Sequence, residues 1–209
     1  MRYLYLHGFA SSPASKKAGY FRGRFQECRV ELEVPDLADG DFENLTITSQ
    51  LHVVRRAAGA DPVCLLGSSL GGYLAALYAA RHSEVQRIVL IAPAFDFAAR
   101  WRERLGDAVM KGWKESGWLP IYHYGAEAQR RVGYGLYGDS LDYEPFPDVR
   151  QPVLVLHGRL DDVVPVELSG EFAAGRSQAE FRTYEDGHEL AAVMAEMWNE
   201  IRRFLRLQR

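Results

Sequence analysis

Hydrophobic positions along the chain fall into short continuous runs, separated by longer stretches in which apolar residues recur every three or four positions. The short runs are typical of buried strands, and the longer stretches are typical of amphipathic helices. Strands that are apolar on both faces belong to parallel sheets covered by helices on both sides. The pattern therefore predicts an α/β fold with a mainly parallel sheet of about six strands. The predicted strands span residues 3–7, 29–34, 62–67, 86–92, 152–157 and 179–184, and the predicted helices span residues 14–26, 43–58, 69–81, 167–174 and 190–207.

One segment interrupts this alternation of strands and helices. No strand is predicted between residues 92 and 152, and a structureless loop of that length is unusual in a compact domain. We therefore expect an inserted, mostly helical lid over about residues 96–150. Because no repeat, linker or low-complexity tract divides the sequence, residues 1–209 are predicted to form a single domain.

The composition excludes several classes of protein. The 25 Lys and Arg residues and 28 Asp and Glu residues give a net charge of −3, which argues against a nucleic-acid or anionic-membrane binder. No apolar run reaches the roughly 18–20 residues of a membrane helix, and the first residues read as a strand rather than a leader peptide. We therefore expect a cytoplasmic protein without membrane insertion. Cys28 and Cys64 are predicted to be buried thiols, and the absence of metal-ligand spacing predicts neither a metal nor a cofactor.

A pentapeptide between a predicted strand and a predicted helix carries the first chemical signal. Residues 67–71 read Gly-Ser-Ser-Leu-Gly and match G-x-S-x-G, the motif in which a sharp turn exposes a nucleophilic serine above a sheet. An apolar strand leads directly into Gly67, and a small-residue helix follows. The motif predicts Ser69 as the nucleophile. Ser68 is the rival hydroxyl, but it lacks a glycine at the matching spacing on both sides.

A serine hydroxyl needs a base, and the base needs an orienting acid. In this type of fold the order along the chain is serine, acid, histidine. His188 lies between the last predicted strand and the last predicted helix, where the base is expected. Asp161 follows the preceding strand and is the preferred acid, with Asp162 and, more distantly, Asp96 as alternatives. His157, which precedes the acid, is interpreted as a structural hydrogen-bonding residue.

Two backbone groups are candidates for stabilising an oxyanion. The N–H that follows the nucleophile belongs to Leu70, and the loop after the first strand, beginning His7-Gly8, offers the N–H of Phe9. The alternative is that His7-Gly8 only terminates the strand.

Aromatic residues of the predicted lid are candidates for contact with a substrate. Aromatic side chains at helical spacing belong to a protein core more often than to a ligand pocket, yet a lid must present an inner surface to the site. Both interpretations stay open. The candidate substrate-binding residues are Trp113, Trp118, Tyr122, His123 and Tyr124.

The order of these motifs resembles that of the α/β-hydrolase superfamily over essentially the whole chain. Residues 5–13, Tyr-Leu-His-Gly-Phe-Ala-Ser-Ser-Pro, and residues 67–72 are similar to the small bacterial YqiA/YcfP-like esterases. The lid sequence and the acid loop also resemble the abhydrolase-domain acyl-protein thioesterases and acyl-glucuronide esterases. The resemblance implies a compact α/β-hydrolase fold that cleaves carboxylic esters or thioesters without a cofactor.

The sequence therefore predicts a serine hydrolase that acts on a small-molecule ester or acyl thioester through an acyl-enzyme. Two alternatives remain: a serine peptidase acting on small peptides, and a non-catalytic ligand-binding protein that keeps the hydrolase fold. An acidic pocket for a peptide amine is not evident in the lid, and the complete, correctly ordered set of Ser69, Asp161 and His188 argues against a pure binder.

Overall fold

The computed structural model describes residues 1–208, so Arg209, the last residue of the predicted domain, lies outside the described residues. Five parallel strands form the central sheet in the order β1-β2-β3-β6-β7, and β4 and β5 form a separate antiparallel pair. The strands are β1 (Arg2–Leu6), β2 (Val63–Ser68), β3 (Val85–Ile91), β4 (Trp118–His123), β5 (Ala128–Gly133), β6 (Val153–Gly158) and β7 (Ala179–Tyr184). The helices are α1 (Lys16–Glu27), α2 (Ile47–Ala58), α3 (Leu70–Ala79), α4 (Phe97–Ser116), α5 (Gly135–Ser140), α6 (Val166–Ala173) and α7 (Met194–Leu205).

The sheet has an apolar core on each face, as the continuous apolar strands predict. Alternate residues of one strand point to opposite faces, so Leu65 belongs to one core and Leu66 to the other. Helices α2, α3, α4 and α6 contribute to the first core, and α1 and α7 contribute to the second. Cys28 and Cys64 lie in the second core as buried free thiols. None of the helices within residues 1–208 has the length and apolar content that crossing a bilayer requires.

The predicted strand at residues 29–34 is reduced to one bridge at the edge of the sheet. Glu33 pairs in parallel with Leu4, and its backbone exchanges hydrogen bonds of 2.8 and 3.0 Å with Tyr5 N and Tyr3 O. Arg29 has a positive φ of 58°, and Pro35 carries no N–H, so neither end can extend the ladder. The sheet therefore has five full strands, with this bridge at the position of the sixth.

The segment between β3 and β6, hereafter the insertion (residues 92–152), differs from the mostly helical expectation. It contains α4, the β4–β5 hairpin and α5, so the prediction that it has no strand is wrong. The hairpin escaped detection because its two strands are largely solvent-facing, and Val132 is the sole fully buried residue of β5. β4 has an apolar run, but Pro120 lies inside it and an internal proline argues against a strand, whereas β5 reads Ala-Gln-Arg-Arg-Val-Gly and has no such run.

Specific polar contacts fix the insertion to the body of the protein. Gly133 N donates to Glu43 O at 2.8 Å, and Arg131 forms an ion pair with the Glu43 carboxylate at 2.9 Å. Thr48, at the start of α2, donates from its N and Oγ1 to the Asp139 carboxylate at 2.8 and 2.7 Å. The hairpin and α5 are therefore held against the segment that leads into α2.

The turn from β2 into α3 requires a very close approach of α3 to β1. A Cβ atom on Gly71 would lie 2.1 Å from Leu6 O, and a Cβ atom on Gly67 would lie 2.2 Å from Gly71 O. Both distances are well below any van der Waals contact. Gly71 therefore lets α3 touch β1, and Gly67 lets the turn from β2 into α3 close.

We expect Gly71→Ala to lower the free energy of unfolding by at least about 2 kcal/mol, because the added methyl must displace backbone rather than a flexible side chain. Gly19→Ala in α1 is the matched control, since open space surrounds that position and alanine favours a helix by about 0.5–1 kcal/mol. Urea-induced unfolding measures the free energy of unfolding of both variants. Equal midpoints for the two variants would contradict the close-approach argument.

Candidate active site

Ser69 occupies a strained turn at the carboxyl end of β2. Its φ of 53° and ψ of −119° are unfavourable for a residue with a side chain, at a cost of about 1–3 kcal/mol. Neighbouring elements hold this conformation: Ser69 N donates to Ile91 O at 2.9 Å, and Ala94 N donates to Ser69 O at 3.0 Å. The turn thereby lifts the Ser69 hydroxyl clear of both the strand and the helix.

The structure brings Ser69, His188 and Asp161 into one hydrogen-bonded row. Ser69 Oγ lies 3.0 Å from His188 Nε2, and His188 Nδ1 lies 2.7 Å from Asp161 Oδ2. An ionised carboxylate can only accept, so Nδ1 carries the proton and Nε2 is free to accept from the serine hydroxyl. His188 and Asp161 come from the loops after β7 and β6. Gly158 lets these loops meet, since a Cβ there would lie 2.2 Å from Asp186 O.

The Asp161 carboxylate is buried and fully hydrogen-bonded. Oδ1 accepts from Val163 N at 2.8 Å and Val164 N at 2.7 Å, and Oδ2 accepts from His157 Nε2 at 3.0 Å as well as from His188. Burial acts to raise the pKa of Asp161, but the donors outweigh it and hold the pKa well below its usual range. Asp162 is exposed. Asp161 is therefore the carboxylate that reaches the histidine.

His157 is fully buried and is hydrogen-bonded to the Asp161 carboxylate. Its Nε2 lies 3.0 Å from Val164 O as well as from Asp161, and a carbonyl oxygen can only accept, so Nε2 carries the proton. Its Nδ1 is hydrogen-bonded to Ser169 Oγ at 2.7 Å. These contacts agree with its interpretation as a structural hydrogen-bonding residue.

The rival hydroxyl of Ser68 points elsewhere. Ser68 is buried, and its Oγ accepts from Lys17 Nζ at 3.1 Å, whereas the His188 ring is directed at Ser69. Lys17 was not singled out from the sequence. A lysine at the start of a helix gives no sign that its ammonium is buried next to the nucleophile.

The two predicted oxyanion donors flank Ser69. Within residues 1–208, neither Phe9 N nor Leu70 N donates to an acceptor of the protein. Gly8 lets the first loop come close, because a Cβ there would lie only 3.4 Å from Ser69 Cβ. Neither N–H group is therefore occupied by an acceptor from the described part of the chain.

The structure places the five candidate substrate-binding residues of the insertion in different surroundings. Trp113 is 1% exposed in the core and donates from Nε1 to Val132 O at 3.0 Å, so it offers no surface to a ligand. Trp118 stacks on the Arg131 guanidinium, with 4.4 Å from Cζ to the ring centroid. The buried His123 contacts Phe42, with 4.5 Å between ring centroids. The remaining two candidates, Tyr122 and Tyr124, pack on each other at the exposed end of the hairpin.

A further group of aromatic rings, which contacts His123 through Phe42, lies beside the loop after β1. The ring of Phe9 contacts Trp101 of α4 at 5.3 Å and Phe42 at 5.6 Å between centroids. All three rings are partly buried against the first core. No sequence signal marks Phe42 and Trp101 as neighbours of Phe9, because their contact depends on how the insertion packs on the rest of the protein. We refer to Phe9, Phe42 and Trp101 as the aromatic wall.

The parallel sheet with helices on both faces and the strained serine turn at its carboxyl edge define the α/β-hydrolase fold. The resemblance in the sequence to that superfamily is thereby confirmed. The chain belongs to the family described as "Uncharacterised protein family (UPF0227)", which matches residues 2–205.

The comparisons with individual proteins agree with this assignment. The chain is 32% identical over 148 residues to the palmitoyl-protein thioesterase ABHD10, mitochondrial, of Bos taurus. That match covers 65% of this chain and 47% of the relative, so the chain spans about half of the relative's length. Two solved structures share the fold. Alpha/beta hydrolase domain-containing protein 10 from mouse has a TM-score of 0.82 at 20% identity, with 98% of this chain and 89% of that chain covered. Est1E from Butyrivibrio proteoclasticus, with ferulic acid bound, has a TM-score of 0.78 at 18% identity, with 97% and 87% covered.

We expect His157→Phe to make the stability less dependent on pH in acid. The lowered pKa of Asp161 contributes stability that is present above its unfolded value of 3.8 and is lost as pH falls towards the folded value. Removing the His157 donor moves the folded pKa back up and reduces that contribution.

Urea unfolding of the wild type and of His157→Phe between pH 7 and about pH 2 measures the effect. The difference in the free energy of unfolding should be largest at neutral pH, at about 1.5–3 kcal/mol for a hydrogen bond to a charged group. It should narrow only as pH falls through the folded pKa of Asp161 in the variant, which lies below the unfolded value of 3.8. A gap that stays constant over this range would exclude Asp161 as its source.

Proposed function

We propose that the protein is a serine hydrolase that cleaves carboxylic esters or thioesters of small molecules in the cytoplasm by way of an acyl-enzyme. The observation that carries the proposal is the row formed by Ser69, His188 and Asp161, with contacts of 3.0 and 2.7 Å, next to two unpaired backbone N–H groups. The match to a palmitoyl-protein thioesterase supports hydrolase chemistry on an acyl group.

In the proposed acylation step, Ser69 Oγ attacks the acyl carbon while its proton passes to His188 Nε2. The carbonyl oxygen becomes an oxyanion and accepts hydrogen bonds from the N–H groups of Phe9 and Leu70. Asp161 holds the imidazole in the required tautomer and stabilises the imidazolium. His188 then protonates the departing alcohol or thiol, which leaves the acyl group bonded to Ser69.

In the proposed deacylation step, water replaces the leaving group. His188 Nε2 takes a proton from this water, the resulting hydroxide attacks the acyl carbon, and the same two N–H groups bind the second oxyanion. The bond to Ser69 Oγ breaks, His188 returns the proton to that oxygen, and the free acid leaves. No group beyond those of the chain, the substrate and water takes part.

We propose that the insertion acts as a lid of the single domain and that the aromatic wall lines the acyl pocket. Phe9 takes part in both the oxyanion site and the acyl pocket, since its N–H donates to the oxyanion and its ring contacts Trp101 and Phe42. An acyl chain that extends from the carbonyl carbon at Ser69 would thus meet aromatic rings. Apolar walls with a few polar anchors are typical of small-molecule sites.

We expect Ser69→Ala to reduce the kcat for p-nitrophenyl esters, tested from acetate to palmitate, by about 10⁴-fold or more while the thermal unfolding curve is preserved. Ser83→Ala is the control and should leave kcat unchanged, because Ser83 is exposed and lies just before β3, at the edge of the sheet opposite Ser69.

A fluorophosphonate probe separates the alternatives to ester hydrolysis. Labelling of Ser69 without turnover of any ester would point to the peptidase. No labelling of the folded wild type would point to the non-catalytic binder, and residual turnover by Ser69→Ala near the wild-type level would refute the serine mechanism.

We expect Trp101→Ala to lower kcat/KM for octanoyl and longer esters by about tenfold relative to the acetyl ester, because the acyl chain loses apolar contact. Tyr122→Ala serves as the comparison, since Tyr122 is one of the substrate-binding residues predicted from the sequence. If Tyr122→Ala changes the chain-length preference and Trp101→Ala does not, the pocket lies at the hairpin instead of the aromatic wall.

A further inference from the structure

Lys17 is a buried cation that the proposed mechanism does not use. Its side chain is 11% exposed, and its Nζ donates to Ser68 Oγ at 3.1 Å and lies 3.4 Å from Glu189 Oε2. Ser68 directly precedes the proposed nucleophile, and Glu189 directly follows the proposed base. One ammonium therefore joins the turn that carries Ser69 to the loop that carries His188.

This placement of Lys17 is unfavourable by ordinary criteria. The ammonium lies in the first turn of α1, where the helix dipole disfavours a positive charge, and no acidic residue lies in that turn. Burial lowers the pKa of Lys17, and the carboxylates of Glu189, Asp161 and Asp186 act in the opposite direction. The Glu189 side chain is 80% exposed, and an ion pair with such an exposed carboxylate contributes little to stability. Stability alone does not account for a charge at this position.

Within residues 1–208, the hydrogen bond between Ser69 Oγ and His188 Nε2 is the one direct hydrogen bond between residues 67–71 and residues 186–192. The proton transfer requires Ser69 Oγ and His188 Nε2 to stay within hydrogen-bond reach, although one lies on a strained turn and the other lies between β7 and α7. The His188 loop also contains a strained residue, Leu190, with a φ of 53°. A misplacement of about 1 Å in such an arrangement costs about 100-fold in rate.

We propose that Lys17 is a positioning residue, whose buried ammonium holds the Ser69 turn and the His188 loop at the separation needed for proton transfer. The inference rests on the function proposed above. Lys17 touches neither the substrate nor the reacting atoms in this role, and it acts through Ser68 and Glu189.

The test compares Lys17→Met, which keeps most of the side-chain volume and removes the charge, with Lys17→Arg, which keeps the charge. Lys16→Met is the matched control, because Lys16 is the exposed neighbour on the same helix. The readouts are kcat and KM for a p-nitrophenyl ester, the rate at which a fluorophosphonate labels Ser69, and thermal unfolding.

We expect Lys17→Met to lower kcat and the labelling rate by about 10- to 100-fold, with KM within about twofold. Its unfolding temperature should stay unchanged or rise, since replacing a buried charge with an apolar side chain is often neutral or stabilising. Lys17→Arg should recover part of the rate, and Lys16→Met should match the wild type. Wild-type kcat and labelling in Lys17→Met, or a fall in rate that only follows a fall in stability, would overturn the inference.

Ser68→Ala gives an independent route, which stays open if Lys17→Met does not fold. It removes the acceptor of the Lys17 ammonium and should slow labelling of Ser69. If Lys17→Met folds, the double variant should be no slower than Lys17→Met when the two residues act as one unit. Unchanged labelling in Ser68→Ala would count against the inference.

Failure of the proposed function has a different signature. If the wild type is labelled at Ser69 but hydrolyses no ester or thioester, the proposed function fails while the labelling rates still decide the role of Lys17. If the wild type is not labelled at all, both fail.

Discussion

A carboxylate with no exposed surface stays ionised only when hydrogen-bond donors replace the water that it has lost. The side chain of Asp161 is completely buried, and it obtains two donors from the backbone of its own loop and two from His157 and His188. Each donor in turn constrains part of the fold. The N–H groups of Val163 and Val164 fix the path of residues 161–164. His157 holds that loop against β6, and His188 holds the loop after β7 next to it. The donors that replace water around Asp161 therefore also fix the orientation of the His188 imidazole.

The sheet supplies the rest of the geometry, because parallel strands end at the same edge. Phe9 follows β1, Ser69 follows β2, Asp161 follows β6 and His188 follows β7, so residues far apart in the chain lie at one edge of the sheet. Two glycines let the elements at this edge pack closely. A Cβ at Gly71 would lie 2.1 Å from Leu6 O, and a Cβ at Gly158 would lie 2.2 Å from Asp186 O, so backbone packs directly on backbone at both positions. Short contacts across this edge thus depend on positions that carry no side chain.

Periodicity and motif spacing predict the central sheet, the helices that cover it and the positions of the Ser69, Asp161 and His188 segments. These features are local, since a strand buried on both faces and a glycine-flanked serine turn each have a distinctive short sequence. The hairpin of the insertion is less distinctive, because Pro120 interrupts the apolar run of β4 and most residues of β5 are polar or exposed. The aromatic wall and the buried ammonium of Lys17 have no local signature at all. Phe42 and Trp101 belong to different segments, and Lys17 differs from its exposed neighbour Lys16 only in where the helix places it.

Three local rules of protein structure are broken at this one edge of the sheet. Ser69 adopts a positive φ, Asp161 buries a charge, and Lys17 places a buried cation at the positive end of a helix dipole. A sequence selected for stability alone would avoid each of these, and departures that lie together in space are expected where a site demands them. Burial lowers the pKa of Lys17, and the nearby carboxylates, first Glu189 and to a lesser extent Asp161 and Asp186, act to raise it. It follows that the cost of the buried ammonium is reduced by carboxylates of the loops after β6 and β7, beside the strained turn of Ser69.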